Sequence, residues 1–151
     1  MWQAACSASA RSVSEQAITV AAGLGYGDNT RASLITRGLA ETARLGTVLG
    51  AEITTFAGLA GLGDLVATCS SPLSRNRTFG EHLGQGMSVA EVQQITRQTA
   101  EGVKTCCSVL DLARAHEVYV PITEAVVRVC HEGESAAQMV REMMTREAKP
   151  E

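Results

Sequence analysis

The feature that most constrains the fold is the run from Pro121 to Gly133. Ile122, Ala125, Val126, Val129 and Cys130 recur at i, i+3, i+4, i+7 and i+8, the repeat of one face of an α-helix. Pro121 suits the first helical position and Gly133 stops the run. The pattern then starts again: Ser135-Ala-Ala-Gln138 is a helix start, and Ala136, Met139, Val140, Met143 and Met144 repeat the spacing. Two consecutive stripes of this kind call for a partner surface that is itself helical.

The rest of the chain agrees. Aromatic residues make up only 3% and β-branched alternation is scarce, whereas Ala, Leu, Glu, Arg and Gln are common. An all-α fold follows. At 151 residues one domain with a genuine core is expected. Asp28, Asn29 and Thr30 offer N-caps for a helix over 31–50, with Leu34, Ile35, Leu39, Leu45, Val48 and Leu49 on its apolar face. Arg37, Glu41 and Arg44 read as an exposed charge ladder on the other face. A shorter helix covers 53–59, and one or two turns cover 77–83, closed by Gly84 and Gly86. Ser88-Val-Ala-Glu91 is a capping box for a helix to about Gln98, Gly102 breaks that run, and a helix over 103–116 puts Cys106, Val109, Leu110 and Ala113 on one stripe.

Residues 1–22 stand apart. Only Arg11 and Glu15 are charged, Ser and Ala dominate, no firm period emerges, and Ala17 to Ala21 fits a short strand or part of a helix. Three parts result: a divergent, disorder-prone segment over 1–22, a helical domain over 23–146, and a frayed tail over 147–151. Gly23-Leu-Gly-Tyr-Gly-Asp28 is a glycine-rich turn rather than a dinucleotide loop, because Asp28 stands where the third glycine is needed.

Several function classes are disfavoured. A net charge of −3 and a pI near 5.6 give no sign of a general nucleic-acid or lipid-surface binder. No apolar run approaches a membrane span, and the N-terminus lacks the basic and apolar regions of a targeting peptide. Five cysteines without C-x-x-C spacing suggest reduced thiols and a cytoplasmic setting. His82, His116 and His131 are scattered, so no metal is expected.

Chemistry concentrates in Gly61 to Arg77, GLGDLVATCSSPLSRNR. Asp64 lies among Leu62, Leu65 and Val66, where a carboxylate needs a partner; it reads as a site residue, or else as a helix cap or structural ion pair. Ser74, Arg75, Asn76 and Arg77 follow Pro72 where a loop gives way to a helix, which suits an anion: free N–H groups and a guanidinium fork. The alternative for Arg75 is a surface salt bridge.

GLAGLGDLVATCSSPLSRNRTFGEHLGQG, with the earlier GLGYGDNTRASLITRGLAE, resembles the C-terminal substrate domain of bacterial NAD(P)-dependent glycerol-3-phosphate dehydrogenases, from about Gly23 to Gly133. The resemblance implies an all-α helical bundle like the C-terminal domain of 6-phosphogluconate dehydrogenase. It also implies interconversion of dihydroxyacetone phosphate and glycerol 3-phosphate, a precursor of glycerophospholipids, with NAD or NADP held mainly by a preceding Rossmann domain. By the same resemblance Asp64 is the aspartate beside the catalytic lysine and Thr68 its polar neighbour. Ser74, Arg75 and Asn76 match the phosphate contacts, and Arg75, Thr99 and Glu101 match positions that touch the nucleotide.

One departure matters. The chain's only lysines are Lys104 and Lys149, and ungapped extension puts Arg11 at the family lysine, followed by Ser12 in place of the usual Asn. Arg11 can pair with Asp64 or polarise a carbonyl, but a guanidinium keeps its proton near neutrality. The expectation is therefore a substrate-binding half without its Rossmann domain, inactive by itself. Two alternatives are a complementing subunit for a separate Rossmann protein and a non-catalytic helical interaction module; self-association through an exposed apolar patch is also open.

Overall fold

In the computed structural model, which describes residues 2–97 and 100–146, one long helix runs through the middle and the others pack around it. This is α1 (Trp2–Gly23), followed by α2 (Asp28–Val48), α3 (Ile53–Ala57), a π-helical turn (Leu59–Gly63), α4 (Asp64–Ser70) and α5 (Arg75–Gly84). Then come α6 (Val89–Thr96), α7 (Glu101–Ala115), α8 (Pro121–His131) and α9 (Ala136–Thr145). The described residues contain no strand, so the all-α expectation holds. No described helix is long and apolar enough to cross a membrane.

The largest correction concerns α1. The segment expected to be disorder-prone is instead a helix packed against α2, α5, α7 and α8. Val13 to Ala21 are buried without interruption, including Ser14, Glu15, Gln16 and Thr19. A helix buried all round has no polar face, and therefore no amphipathic period to read. Some of its polar groups find local or cross-helix partners: Thr19 Oγ1 donates to the Glu15 carbonyl at 2.7 Å, and Gln16 Nε2 to the Asn76 carbonyl at 3.3 Å, while Gln16 Oε1 is left without one.

Small residues let the neighbours approach. A Cβ on Gly84 of α5 would meet the Val20 carbonyl oxygen at 2.3 Å, and one on Gly102 of α7 would meet the Ser12 carbonyl oxygen at the same distance. Gly102 thus sits inside the first turn of α7, where it permits contact with α1, rather than breaking a helix. Gly84 likewise belongs to α5, which starts two residues earlier than expected because Ser74 caps it, accepting from the Arg77 N–H at 3.2 Å.

Elsewhere the periodic reading transfers directly. The Ser88–Glu91 capping box opens α6, Ser135 caps α9, and Pro121 occupies the first turn of α8. Ile122, Ala125, Val126, Met139, Val140 and Met143 all enter the core. The charge ladder on α2 needs correction, however. Glu41 is buried, and its carboxylate accepts from the Ile122 N–H (2.7 Å), the Thr123 N–H (2.8 Å) and the Thr123 hydroxyl (2.6 Å). It caps α8 from another helix, a pairing that spacing along α2 cannot reveal. Arg37 donates to the Met143 and Arg146 carbonyls, and Arg44 lies over the Tyr119 ring.

Candidate functional site

The middle of α1 and the first turns of three other helices converge on one open cleft of about 530 Å³. Arg11 and Glu15 come from α1, Asp64 and Thr68 from α4, Ser74, Arg75 and Asn76 from the start of α5, and Glu101 and Lys104 from the first turn of α7. Every expected site residue is there except Thr99, which lies outside the described residues.

Asp64 sits in a different setting from the one its sequence neighbours suggest. Leu62 and Val66 are themselves 37% and 40% exposed, and the Asp64 side chain is half exposed. Its partner is Arg11: Nη2 lies 2.6 Å from the Asp64 carboxylate, and Nη1 donates to the Ala60 carbonyl at 2.6 Å. The ungapped register that aligned Arg11 with the family lysine therefore places it against Asp64. Arg11 Nε also stands 3.6 Å from the Glu15 carboxylate, so one guanidinium serves two acids.

Glu15 is the residue that the sequence reading passed over. It is 2% exposed and forms the cleft floor, accepting a hydrogen bond from Asn76 Nδ2. Burial pushes its carboxyl up to about 7; the Asn76 amide and Arg11 pull it down, Asp64 adds to the rise, and Thr68 pulls it down further. The available signal was the Arg11–Glu15 pair at i,i+4, the only charges in an otherwise neutral helix.

Across the cleft, Ser74 caps α5 and so places the free N–H groups of its first turn at the wall. The Arg75 guanidinium is exposed there, with no hydrogen-bond or ion-pair partner among the described residues. Arg77, grouped with it on sequence, turns away: it pairs with Glu81 at 2.8 Å and donates to the Ser70 carbonyl, tying α4 to α5. Glu101 and Lys104 border the opposite rim. Lys104 is remote in sequence from Arg11, yet the packing of α7 on α1 brings it to the same cleft.

A second convergence lies outside the cleft. Cys106, Cys107 and His131 place their ligand-type atoms within 4.8 Å of one another, although His131 looked isolated in sequence. All five cysteines are free.

The cleft thus sets an arginine with no partner among the described residues at a helix start, opposite an acid-bearing wall. Comparison with known proteins gives the family. Residues 6–141 match the model of the NAD-dependent glycerol-3-phosphate dehydrogenase C-terminus, and the chain belongs to that family. The match starts well before Gly23, so the likeness includes α1. Among similar proteins, the glycerol-3-phosphate dehydrogenase [NAD(P)+] of Streptomyces coelicolor is 65% identical over 135 residues, 89% of this chain and 40% of that protein. That of Corynebacterium kroppenstedtii is 58% identical over 143 residues, 94% of this chain and 43% of that protein. A crystal structure of glycerol-3-phosphate dehydrogenase from Coxiella burnetii superposes with a TM-score of 0.91 at 42% identity, covering 97% of this chain and 45% of that one. The chain thus spans less than half the length of these relatives.

Proposed function

We propose that this domain is the substrate-binding half of an NAD(P)-dependent glycerol-3-phosphate dehydrogenase, holding dihydroxyacetone phosphate or glycerol 3-phosphate in the cleft between α1, α4, α5 and α7. The observation that carries the reading is the unpaired Arg75 guanidinium beside Ser74 and Asn76 at the start of α5. Such a wall supplies charge-assisted hydrogen bonds to a phosphate, each contributing ~1.5–3 kcal/mol. Arg11, held by Asp64, brings a second cation to the same cleft.

The nicotinamide supplies and accepts the hydride when bound. Among the described residues there is no βαβ unit to seat it, so the contribution of this domain to the cofactor is an edge formed by Arg75 and Glu101. Arg11 can polarise a carbonyl oxygen but cannot exchange its proton near neutrality. Positioned proton transfer is typically worth ~10²–10⁴ in rate, so that factor is forfeited at this position. The purified polypeptide is expected to be silent for both reasons, and its reduced cysteines fit a cytoplasmic setting.

A second reading rests on the exposed apolar side chains of the segment from Leu59 to Leu73, of which Leu73 lines the cleft. Leu59 and Leu73 are 89% and 91% exposed, and Leu62 and Val66 stand between them in sequence. Apolar side chains in this position favour coverage by a separate nucleotide-binding chain, which would make the domain a complementing subunit. Self-association through the same segment competes with that arrangement.

The test is dihydroxyacetone phosphate-dependent oxidation of NADH and NADPH by the purified polypeptide and by Arg11→Lys, each alone and mixed with a nucleotide-binding half from a relative. The proposal expects silence alone and turnover on mixing, greater with Arg11→Lys. Turnover by the unmixed original would overturn it, and so would a mixture whose activity ignores Arg75→Ala.

A further inference from the structure

Cys106 and Cys107 are consecutive on α7, His131 is the last residue of α8, and two sulfurs and a ring nitrogen lie within 4.8 Å of one another. Cys106 is buried and Cys107 exposed, so the cluster runs from the core to the surface. We propose that Cys106, Cys107 and His131 form a binding site for a divalent cation of the zinc class, fastening α7 to α8.

The ligand types and spacing support this. Two thiolates and an imidazole are the donors that zinc-like cations select over the carboxylates and guanidiniums of the cleft. A tetrahedral zinc with bonds of about 2.0–2.3 Å spaces its ligands roughly 3.3–3.8 Å apart. Atoms at the 4.8 Å limit therefore need to close by about 1–1.5 Å, within the reach of side-chain rotation on fixed helices.

The surroundings support it as well. His131 Nε2 lies 3.2 Å from the Val103 carbonyl oxygen, the kind of contact that orients a ligating imidazole by engaging its other nitrogen. Cys130, next to His131, is near enough to Cys106 and Cys107 for their charges to oppose its own ionisation. The cluster itself supplies three ligands, which leaves the fourth tetrahedral position to water. The helices come together without the cation, since α7 and α8 pack directly on each other, so little ordering is left for binding to impose.

Binding is an exchange without redox chemistry. The two thiols release their protons to solvent, and the cation takes their place against the sulfurs. A thiol binds such a cation as the thiolate, so its proton must leave before the metal–sulfur bond forms. Proton release on loading follows, and affinity should fall as pH is lowered.

Cobalt(II) titrated into the reduced, metal-free 151-residue polypeptide tests the site, with circular dichroism confirming the fold of each variant. The expected result is one equivalent bound with a near-ultraviolet sulfur-to-cobalt charge-transfer band, displaced by zinc(II), and a higher melting temperature in zinc. Cys107→Ser and His131→Gln change exposed positions and should leave the helices intact. Loss of even an outer hydrogen-bond partner costs a metal site roughly 10–100-fold in affinity, so each of these variants should weaken cobalt binding at least that much. No charge-transfer band at stoichiometric cobalt would overturn the assignment, as would a band that survives either substitution.

Discussion

Glu41 and Glu15 are both buried carboxylates in the first half of the chain, and burial pushes both up to about 7. Their surroundings differ in kind. Glu41 sits at a joint between α2 and α8 where three donors from one helix start converge on it and every oxygen is engaged. Glu15 sits at the cleft floor with one amide, one hydroxyl and a guanidinium that it shares with Asp64. The comparison teaches that burial alone does not mark a functional acid. What separates the two is whether the neighbouring charges are closed on themselves or open to a ligand.

The strongest way to break that distinction is Glu41→Ala. It strands two buried backbone N–H groups and a hydroxyl, at a cost on the order of 3 kcal/mol or more in denaturant unfolding. Glu15→Ala should cost clearly less, because Asn76 and Arg11 keep access to the cleft. Equal losses would mean that Glu15 is also a structural joint.

The pH dependence comes next, and the two residues share it. Each carboxyl rises from 4.5 to about 7 on folding, so between those values the folded chain holds more protons than the unfolded one. Stability therefore falls as pH rises from 4.5 to 7 and levels off above, by at most about 3 kcal/mol per group. Urea unfolding across that window should show the slope, and Glu41→Gln and Glu15→Gln should each remove a part of it. An unchanged slope in either variant would remove that residue from the account.

Gly102→Ala probes the contact between α1 and α7. The added Cβ meets backbone, which cannot step aside, so a loss of about 1–3 kcal/mol is expected. It should also displace Glu101 and Lys104 and weaken phosphate-ester binding. Arg75→Ala should have the smallest effect on unfolding, within about 0.5 kcal/mol, because no described residue pairs with it. Its effect on phosphate-ester affinity, read by calorimetry in the complemented complex, should be roughly 10–100-fold.

The helices with one wet face were legible because solvent imposes a period: α8 and α9 were readable residue by residue, as were the caps at Ser88 and Ser135. Helix α1 was not, since burial on every side erases the period that exposure writes. Long-range partners were hidden for a related reason. Glu41 looked like one rung of a ladder on α2, and only the position of α8 shows that it faces inward. In the site, Ser74, Arg75 and Asn76 were legible as a local constellation, whereas Lys104 depends on how α7 packs. The setting of Asp64 was misjudged: of its apolar sequence neighbours only Leu65 is buried, whereas Leu62 and Val66 are exposed and the Asp64 side chain is half exposed.

The central position of α1 has a consequence in time. Its buried Ser14, Gln16 and Thr19 lie in a stretch made early, while the α5 and α7 surfaces that cover them are made late. With roughly 80 residues of chain between α1 and α7, and synthesis at ~5–20 residues per second, α1 waits about 4–16 s for the last of its cover. Throughout that interval the nascent chain carries a helix whose stretch from Val13 to Ala21 has no face suited to water, so this is the stage at which a chaperone has most to hold.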